Sequence, residues 1–329
     1  MVASIIEVVK PGLETTVQDY PGRIGVVSLG YPISGPMDGW SFRIANRLVG
    51  NNADAAGLEC QFIGPQLRFY DNRVIAVCGA EIPIMLDGEA IDGWVGVSVG
   101  AGQLLALGSA LRGARAYVAI SGGIDVPPFL GSRSTYQLGQ IGGADGMPIK
   151  AGQRLSLGSD NGTPGRHVTA AARPRFPDDR IWSVEVVPGP NDNWIDEAGQ
   201  ARFLASDWVV STHSNRVGLR LVGPQWTFAQ RAYEKSPENG THPSNIIEHG
   251  YGLGSINLCG QTPIILGPDG LTLGGFINPY TVPTGSLWKA GQARPGDIFR
   301  FTTITVEEAQ AARHALDTLC QSPDALEAI

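Results

Sequence analysis

The sequence contains few cysteines and few charged residues for its length of 329 residues. The four cysteines show no CxxC spacing, so neither disulfides nor a zinc site is indicated and a reducing compartment is expected. Charged residues make up 17% of the chain, its net charge is -7, and it has no dense Lys/Arg stripe. This charge balance argues against a nucleic-acid partner, because proteins that bind nucleic acids use many Lys and Arg side chains to neutralise phosphates.

Long apolar runs are also missing. No stretch approaches the roughly 20 apolar residues that span a bilayer as a helix. The N-terminus lacks the basic flank and apolar segment of a signal peptide. We therefore expect a cytoplasmic protein without a membrane partner.

Several catalytic motifs are absent as well. The five histidines, at positions 167, 213, 242, 249 and 314, form no HExxH or equivalent pair, so no metal site is expected in this chain. The serine-hydrolase elbow GxSxG is missing, and Ser132 and Ser134 are expected to hold a turn instead. Neither GxxxxGK[ST] nor GxGxxG after a strand occurs, which argues against nucleotide hydrolysis by this chain.

Glycine and proline are abundant, with 44 and 23 residues, and they separate short β-branched runs. This composition predicts a mainly β fold with many turns and a few short helices. About eight apolar runs between positions 57 and 158 predict a first closed or nearly closed β domain. We predict a first domain over 1–160, a Pro/Gly-rich linker over 161–180, and a second β domain with a C-terminal helix over 181–329.

Two short sequence repeats indicate that the two predicted domains arose by duplication. The pattern around residues 57–69 recurs around 218–228, each time with a Gly-Pro-Gln triplet. The tetrapeptide KAGQ occurs at 150–153 and again at 289–292, just before a predicted strand. Two matches in the same order favour a duplicated domain over a solenoid, whose period would be shorter. The alternative is that both repeats are ordinary turns.

Three segments have helical patterns. Asp38 is placed to cap a helix over 39–49, which Gly50 would end. A second helix is predicted over 193–204. Thr305 and Glu308 form a capping box for a helix over 306–320.

The segment 240–276 gathers polar side chains in glycine-rich loops between apolar runs, as binding sites often do. It contains two histidines and an asparagine within a Pro-Ser-Asn turn. An asparagine side chain presents an acceptor and two donors on a short stem, which matches the edge of a urea or amide group. Across the chain, the loops supply further neutral hydrogen-bonding groups that suit an amide-like ligand: Gln18, Asn46, Asn215, Ser244, Asn245 and Tyr251.

Over about residues 5–302 the sequence resembles the biotin-dependent carboxyltransferases labelled allophanate hydrolase subunit 2, which include the carboxyltransferase region of urea carboxylase. The segment from GSINLCG to VPTGSLWKAGQARPGD looks more like the urea carboxylase type than like stand-alone relatives. The motifs that carry the resemblance are PGLETTVQDYPGR (11–23), SGPMD (34–38), ANRLVGN (45–51), SGGIDVP (121–127), LGSRSTY (130–136) and HSNRVGLRLVGP (213–224).

The resemblance implies two cyclophilin-like β-barrel domains and a companion subunit, similar to allophanate hydrolase subunit 1, that completes the active site. It implies carboxyl transfer from carboxybiotin to the nitrogen of urea or a similar small amide. The chain has no ATP-grasp region and no Ala-Met-Lys-Met biotin attachment sequence. A biotin carboxylase and a biotin carrier protein would therefore be separate partners. The alternatives are a 5-oxoprolinase subunit, or a regulatory subunit that antagonises a kinase inhibitor.

The hypothesis of carboxyl transfer assigns roles to individual residues, and of these Asn245 is matched to an asparagine expected in the urea carboxylase motif. Asn245 is expected to hydrogen-bond the substrate amide, with an Asx-turn or a helix cap as the alternative. Arg216 is expected to anchor a carboxylate or carboxybiotin, with a salt bridge or a stacked surface side chain as the alternative. The remaining expected site residues are Glu248, His249 and Tyr251 as catalytic groups, His242, Ser244, Asn215 and Gln18 as substrate-binding groups, and Arg23 and Arg133 as binding groups for carboxybiotin. The alternative for His242, Glu248 and Tyr251 is that each is a structural loop residue.

Overall fold

The computed structural model describes residues 4–329, which divide into two compact units. Strands dominate both units, and only four α-helices occur in the described part of the chain. The predicted mainly β fold with a few short helices is confirmed. Unit 1 consists of the described residues up to Gly25, Ile33–Phe176 and Asp317–Ile329, and unit 2 consists of Val26–Pro32 and Pro177–Leu316.

The predicted linker differs from what the structure shows. Its residues as far as Phe176 belong to unit 1. Within it, Arg166–Val168 forms a strand that pairs antiparallel with Leu326–Ala328. The chain from Asp317 onward also belongs to unit 1, not to the second domain predicted over 181–329. Because the paired segments lie far apart in the sequence, local composition gives no signal of their contact.

Two antiparallel sheets build unit 1 around an apolar core. The strands are β1 Ile5–Lys10, β2 Thr16–Gln18, β3 Gly57–Gln61, β4 Gln66–Phe69, β5 Arg73–Glu81, β6 Ile84–Leu86, β7 Glu89–Ala90, β8 Val97–Val99, β9 Leu104–Leu107, β10 Arg112–Ile120, β11 Arg154–Ser156 and β12 Arg166–Val168. The sheet orders are β11-β1-β4-β9-β6-β7 and β2-β3-β10-β5-β8. Ile6 and Val8 of β1 both enter the core because alternate side chains of a strand share a face.

The predicted helix after Asp38 is present as α1, Gly39–Leu48. The Asp38 carboxylate accepts hydrogen bonds from the backbone N–H groups of Trp40 and Ser41, both at 3.0 Å. The first backbone N–H groups of an α-helix have no acceptor within the helix, and the Asp38 carboxylate supplies one for two of them. The buried face of α1 packs on β5 and β10.

Unit 2 contains a closed seven-stranded barrel. The strands after β12 are β13 Ile181–Pro188, β14 Trp208–Val210, β15 Gly218–Val222, β16 Asn245–Gly250, β17 Ser255–Cys259, β18 Thr262–Leu266, β19 Leu273–Phe276, β20 Tyr280–Thr281, β21 Ile298–Thr303 and β22 Leu326–Ala328, the last of which belongs to unit 1. The barrel order is β13-β20-β17-β18-β15-β14-β21, and the parallel pair β13 and β21 closes it. Closure leaves the barrel without open edges.

Aromatic rings fill part of unit 2. Phe203 stacks on Tyr280 and Phe301 with ring centroids 4.6 Å apart in each pair, and on Trp226 at 5.0 Å. Phe203 lies on α2, so these contacts join that helix to the barrel strands. The remaining helices are α2 Glu197–Ala205, α3 Leu287–Gln292 and α4 Val306–Gln321, and the 3-10 turns are Val27–Leu29, Ala170–Ala172, Asp192–Trp194, Gln230–Ala232, Pro237–Asn239, Thr284–Ser286 and Pro323–Ala325.

The two copies of KAGQ adopt different structures. The first, at 150–153, is a turn that leads into β11, whereas the second, at 289–292, forms most of α3. A four-residue identity therefore carries little information about local structure, because tertiary context overrides propensity. The duplication itself stays a prediction.

A separate two-stranded ribbon, β16 with β19, lies outside the barrel sheet of unit 2. Asn245 pairs with Phe276 at one end, and His249 pairs with Gly274 near the other. The register shifts between Asn245 and His249, so the ribbon is irregular where its polar side chains lie. Bulges of this kind often re-aim side chains beside a site.

Candidate functional site

The turn before the ribbon is fixed by its own hydrogen bonds. Nδ1 of His242 accepts from the backbone N–H of Ser244 at 3.1 Å and lies 2.8 Å from its Oγ. The buried Ser244 Oγ also accepts from the N–H of Gly260 at 3.1 Å, and the N–H of Asn245 donates to the carbonyl oxygen of His242 at 2.9 Å. His242 and Ser244, expected to bind substrate, thus shape the turn that presents Asn245.

Asn245 is half-buried, and its side-chain amide has no hydrogen-bond partner within residues 4–329. The Asx-turn alternative therefore does not form. The amide lies over Gly240, where a Cβ atom would sit 2.7 Å from Nδ2. Gly240 has φ +77, a conformation that favours glycine. The unengaged carboxamide offers one acceptor and two donors to a ligand.

Tyr251 is buried, and its hydroxyl is used within the fold. It accepts from the N–H of Phe276 at 2.7 Å and donates to the carbonyl oxygen of the same residue at 3.1 Å. Burial raises the pKa of the Tyr251 phenol, so the hydroxyl remains protonated. Tyr251 thereby fixes the strand residue that pairs with Asn245.

His249 and Glu248 are the titratable side chains of the ribbon itself. Nε2 of His249 lies 3.3 Å from the carbonyl oxygen of Phe276, and its ring packs edge-on against Tyr251 with centroids 5.0 Å apart. A carbonyl oxygen only accepts, so this contact assigns the ring proton to Nε2 and leaves Nδ1 as an acceptor. Glu248 is exposed on the same strand.

Arg216 and Asn215 have partners within unit 2. The Arg216 guanidinium binds the Asp269 carboxylate through Nε at 2.8 Å and through a terminal nitrogen at 3.2 Å. Both side chains are buried, so the salt-bridge alternative is the one that forms. The Asn215 Oδ1 accepts from the N–H of Val217 at 2.9 Å, which closes a local turn.

Gln18 and Arg23 lie inside the loop packing of unit 1. Nε2 of Gln18 donates to Oγ1 of Thr16 at 2.9 Å, and its Oε1 accepts from the N–H of Gly35 at 3.1 Å. Arg23 is fully buried and donates to the carbonyl oxygen of Ser134. These contacts give both residues a role in holding the first loop.

Ser132 and Ser134 hold their loop, as predicted. Both hydroxyls donate to Oδ1 of Asp19, at 2.5 Å and 2.6 Å. The N–H of Arg133 donates to the other oxygen of the same carboxylate at 2.6 Å. The Asp19 side chain thereby organises the LGSRSTY segment.

Arg133 lines a mainly polar cavity of about 460 Å3 in unit 1. Its Nε donates to the carbonyl oxygen of Val126 at 2.8 Å, and a terminal nitrogen lies 3.4 Å from Asp125 Oδ1. The side chain is 41% exposed, so the guanidinium remains accessible to an anionic group. A larger, more apolar cavity of about 660 Å3, also in unit 1, contains none of the expected site residues.

Lys235 contacts the turn before the ribbon, although no sequence pattern predicts it as a site residue. Its Nζ donates to the carbonyl oxygens of His242 and Asn245, the second at 2.6 Å. No motif marks this lysine, because the contact exists only after the loop between it and the ribbon has folded. A charged residue shortly before a polar turn would have been the only available signal.

Two further properties concern residues 4–329 as a whole. No group of three or more His, Cys, Asp or Glu side chains in this range is arranged to hold a metal ion. No helix in the same range combines the length and apolar character needed to cross a membrane.

One family model, described as the carboxyltransferase domain, subdomain A and B, matches residues 29–303. Among characterised proteins, the chain is 39% identical over 327 residues to a urea amidolyase from Lachancea kluyveri, covering 96% of this chain and 18% of that protein. It is 33% identical to a subunit of the 5-oxoprolinase from Escherichia coli, covering 94% of both chains.

Solved structures agree in fold. The urea carboxylase structure from Kluyveromyces lactis superposes with a TM-score of 0.93 at 37% sequence identity and covers 99% of this chain and 30% of that one. A second structure, TTHA0988, gives a TM-score of 0.79 at 31% identity, with 92% of this chain and 56% of that one covered. The chain thus spans less than a third of the length of these urea amidolyase and urea carboxylase relatives.

Proposed function

Because the chain belongs to the carboxyltransferase family, whose subdomain A and B model spans residues 29–303, we propose that it transfers a carboxyl group from carboxybiotin to a nitrogen of urea or a similar small amide. The unengaged Asn245 amide carries this proposal. Its oxygen can accept from an N–H of the substrate while its NH2 group donates to the substrate oxygen. Because Asn245 is only half-buried and its amide has no hydrogen-bond partner within residues 4–329, this group is accessible to a small polar ligand.

His249 is the proposed proton acceptor. The tautomer assigned by the Phe276 carbonyl leaves Nδ1 with a free lone pair, and His249 lies on the ribbon that starts at Asn245. A neutral imidazole is suited to taking a proton near neutral pH. Glu248 is exposed on the same strand and keeps its expected catalytic role as part of the proposal.

The residues of unit 1 fit the group that would donate the carboxyl. When bound, carboxybiotin supplies the carboxyl group itself. The accessible Arg133 guanidinium suits this anionic group, because guanidinium binds carboxylates through charge-assisted hydrogen bonds. Arg23 is buried in the loop and takes no part in this proposal.

Further partners belong to the proposal. We propose a companion similar to allophanate hydrolase subunit 1, a biotin carboxylase and a biotinylated carrier protein. The small share of the urea amidolyase that this chain covers, 18%, supports the need for other polypeptide segments.

The proposal is tested by reconstitution. The chain is combined with the companion, biotin carboxylase, biotinylated carrier, ATP and labelled bicarbonate, and is offered urea, guanidine compounds, short amides and 5-oxoproline in parallel. We expect label to be transferred to urea or a close analogue, and only when the chain is present. Asn245→Asp should reduce this transfer because a carboxylate lacks the two donors, while Asn193→Ala, at an exposed asparagine, should not.

A second candidate is a 5-oxoprolinase component. It is favoured by the match to the Escherichia coli 5-oxoprolinase subunit, which covers 94% of both chains at 33% identity. In the same panel, consumption of 5-oxoproline without labelling of urea would establish this candidate in place of the first. A stable complex that consumes none of the compounds would exclude both and favour a non-catalytic binding subunit.

A further inference from the structure

Lys235 lies outside the 242–245 turn and forms hydrogen bonds to its backbone. Its Nζ donates to the carbonyl oxygens of His242 and Asn245, the first and last residues of the turn. The two contacts bridge the ends of this short segment, so they constrain its backbone directly. Hydrogen bonds from a charged donor are stronger than those from neutral donors.

The surroundings of Lys235 are unusual for a lysine. No carboxylate lies within salt-bridge distance of it in the described part of the chain, and burial lowers its pKa. Its Nζ lies 5.9 Å from the ring centroid of Trp194, a ring that Arg231 also approaches at 5.5 Å. Removing a cation from water without an anionic partner is unfavourable, and main-chain carbonyls and one aromatic face are the compensation that the fold provides.

Two further contacts of the 239–247 segment support the position of Asn245. Oδ1 of Asn239 accepts from the N–H of Ile247 at 2.7 Å, which ties the loop to the ribbon. Gly240 leaves the space that Nδ2 of Asn245 occupies, since a Cβ there would come within 2.7 Å. Gly240 thus leaves room for a side chain that has no hydrogen-bond partner within residues 4–329, while the Asn239 contact holds the strand that follows it.

We propose that Lys235 is a positioning residue for the carboxyltransfer reaction, holding the 242–245 turn so that the Asn245 carboxamide keeps one orientation toward the substrate. The inference rests on the proposed function. The distances are consistent with this role, because the Nζ contacts end on the backbone of the residue whose side chain is to be aimed. Small displacements of a binding group can cost about 100-fold in rate.

The test compares Lys235→Met, Lys235→Arg and the control Lys150→Met, which removes an exposed lysine of unit 1. Methionine preserves the length of the stem without the donors, whereas arginine retains a cation with several N–H groups. Amide hydrogen exchange is measured at Asn245 and Ile247, and kcat and KM are measured for urea in the reconstituted complex.

We expect Lys235→Met to accelerate exchange at these two amides without changing exchange in β17. Its kcat/KM should fall about 10-fold to 100-fold, Lys235→Arg should recover most of that loss, and Lys150→Met should behave like the unmodified chain. Faster exchange with an unchanged kcat/KM would overturn the positioning role and leave a purely structural contact. Unchanged exchange at the Asn245 and Ile247 amides would refute the idea that Lys235 holds the turn.

The two hypotheses fail in different ways. An unmodified complex that turns over none of the offered compounds would refute the proposed function and, with it, the positioning role. The exchange comparison needs no substrate, so it would still show whether Lys235 holds the turn. Loss of activity in Lys235→Met that arginine fails to restore would also contradict the proposed role.

Discussion

The buried ion pair between Arg216 and Asp269 allows a sharp test of whether Arg216 is structural. The variant Arg216→Met removes the guanidinium and leaves the Asp269 carboxylate buried. Two charge-assisted contacts, at 2.8 Å and 3.2 Å, are lost at once. Removing one member of such a pair typically costs about 3–5 kcal/mol, because the remaining charge is uncompensated. That is a large part of the roughly 5–15 kcal/mol by which domains are stable.

Urea denaturation followed by tryptophan fluorescence measures this loss, since most of the tryptophans lie in unit 2. With a denaturant dependence of about 2 kcal/mol per molar, a loss of about 4 kcal/mol lowers the midpoint by about 2 M. The double variant Arg216→Met with Asp269→Leu removes both charges and should recover most of the stability. A midpoint that Arg216→Met leaves unchanged, with only substrate affinity reduced, would refute the structural assignment.

Two further predictions concern buried hydroxyl and thiol groups. Tyr251→Phe should lower the free energy of unfolding by about 1–3 kcal/mol, because the N–H of Phe276 loses its acceptor while the carbonyl oxygen keeps only its contact with His249; an unchanged urea midpoint would contradict this. Burial raises the pKa of Cys60 to about 12, whereas an unfolded thiol titrates near about 8.5. The unfolded state therefore releases its proton first, and stability should fall as pH rises from about 8.5 to 12. Midpoints at pH 8 and pH 10 should differ less in Cys60→Ala, and an equal difference would count against this cause.

The parts of the fold that the sequence predicts correctly depend on local interactions. The α1 helix begins after Asp38, as capping chemistry requires. Thr305 and Glu308 make both reciprocal bonds of the capping box, at 2.8 Å and 3.1 Å, at the start of α4. The helix predicted from 193 begins later, at Glu197, because Asp196 provides the cap.

Contacts between distant segments could not be read from the sequence. The parallel pairing of β13 with β21 closes the barrel, and no local pattern marks it. Contacts between distant segments also decide which side chains of the candidate site are already engaged within the fold. Arg216 is matched by Asp269 only in three dimensions, and Lys235 reaches Asn245 through a folded loop. Residue type therefore identified polar candidates, while folding decided which of them remained available for a ligand.

In the proposed function an uncharged carboxamide, the side chain of Asn245, binds the amide substrate. The most direct test is kcat/KM for urea with Asn245→Ala in the reconstituted complex, with the urea denaturation midpoint measured alongside. We predict that kcat/KM decreases about 5-fold to 150-fold, because losing a hydrogen bond to a buried polar substrate costs about 1–3 kcal/mol. The denaturation midpoint should not change. A kcat/KM equal to that of the unmodified chain would contradict the claim.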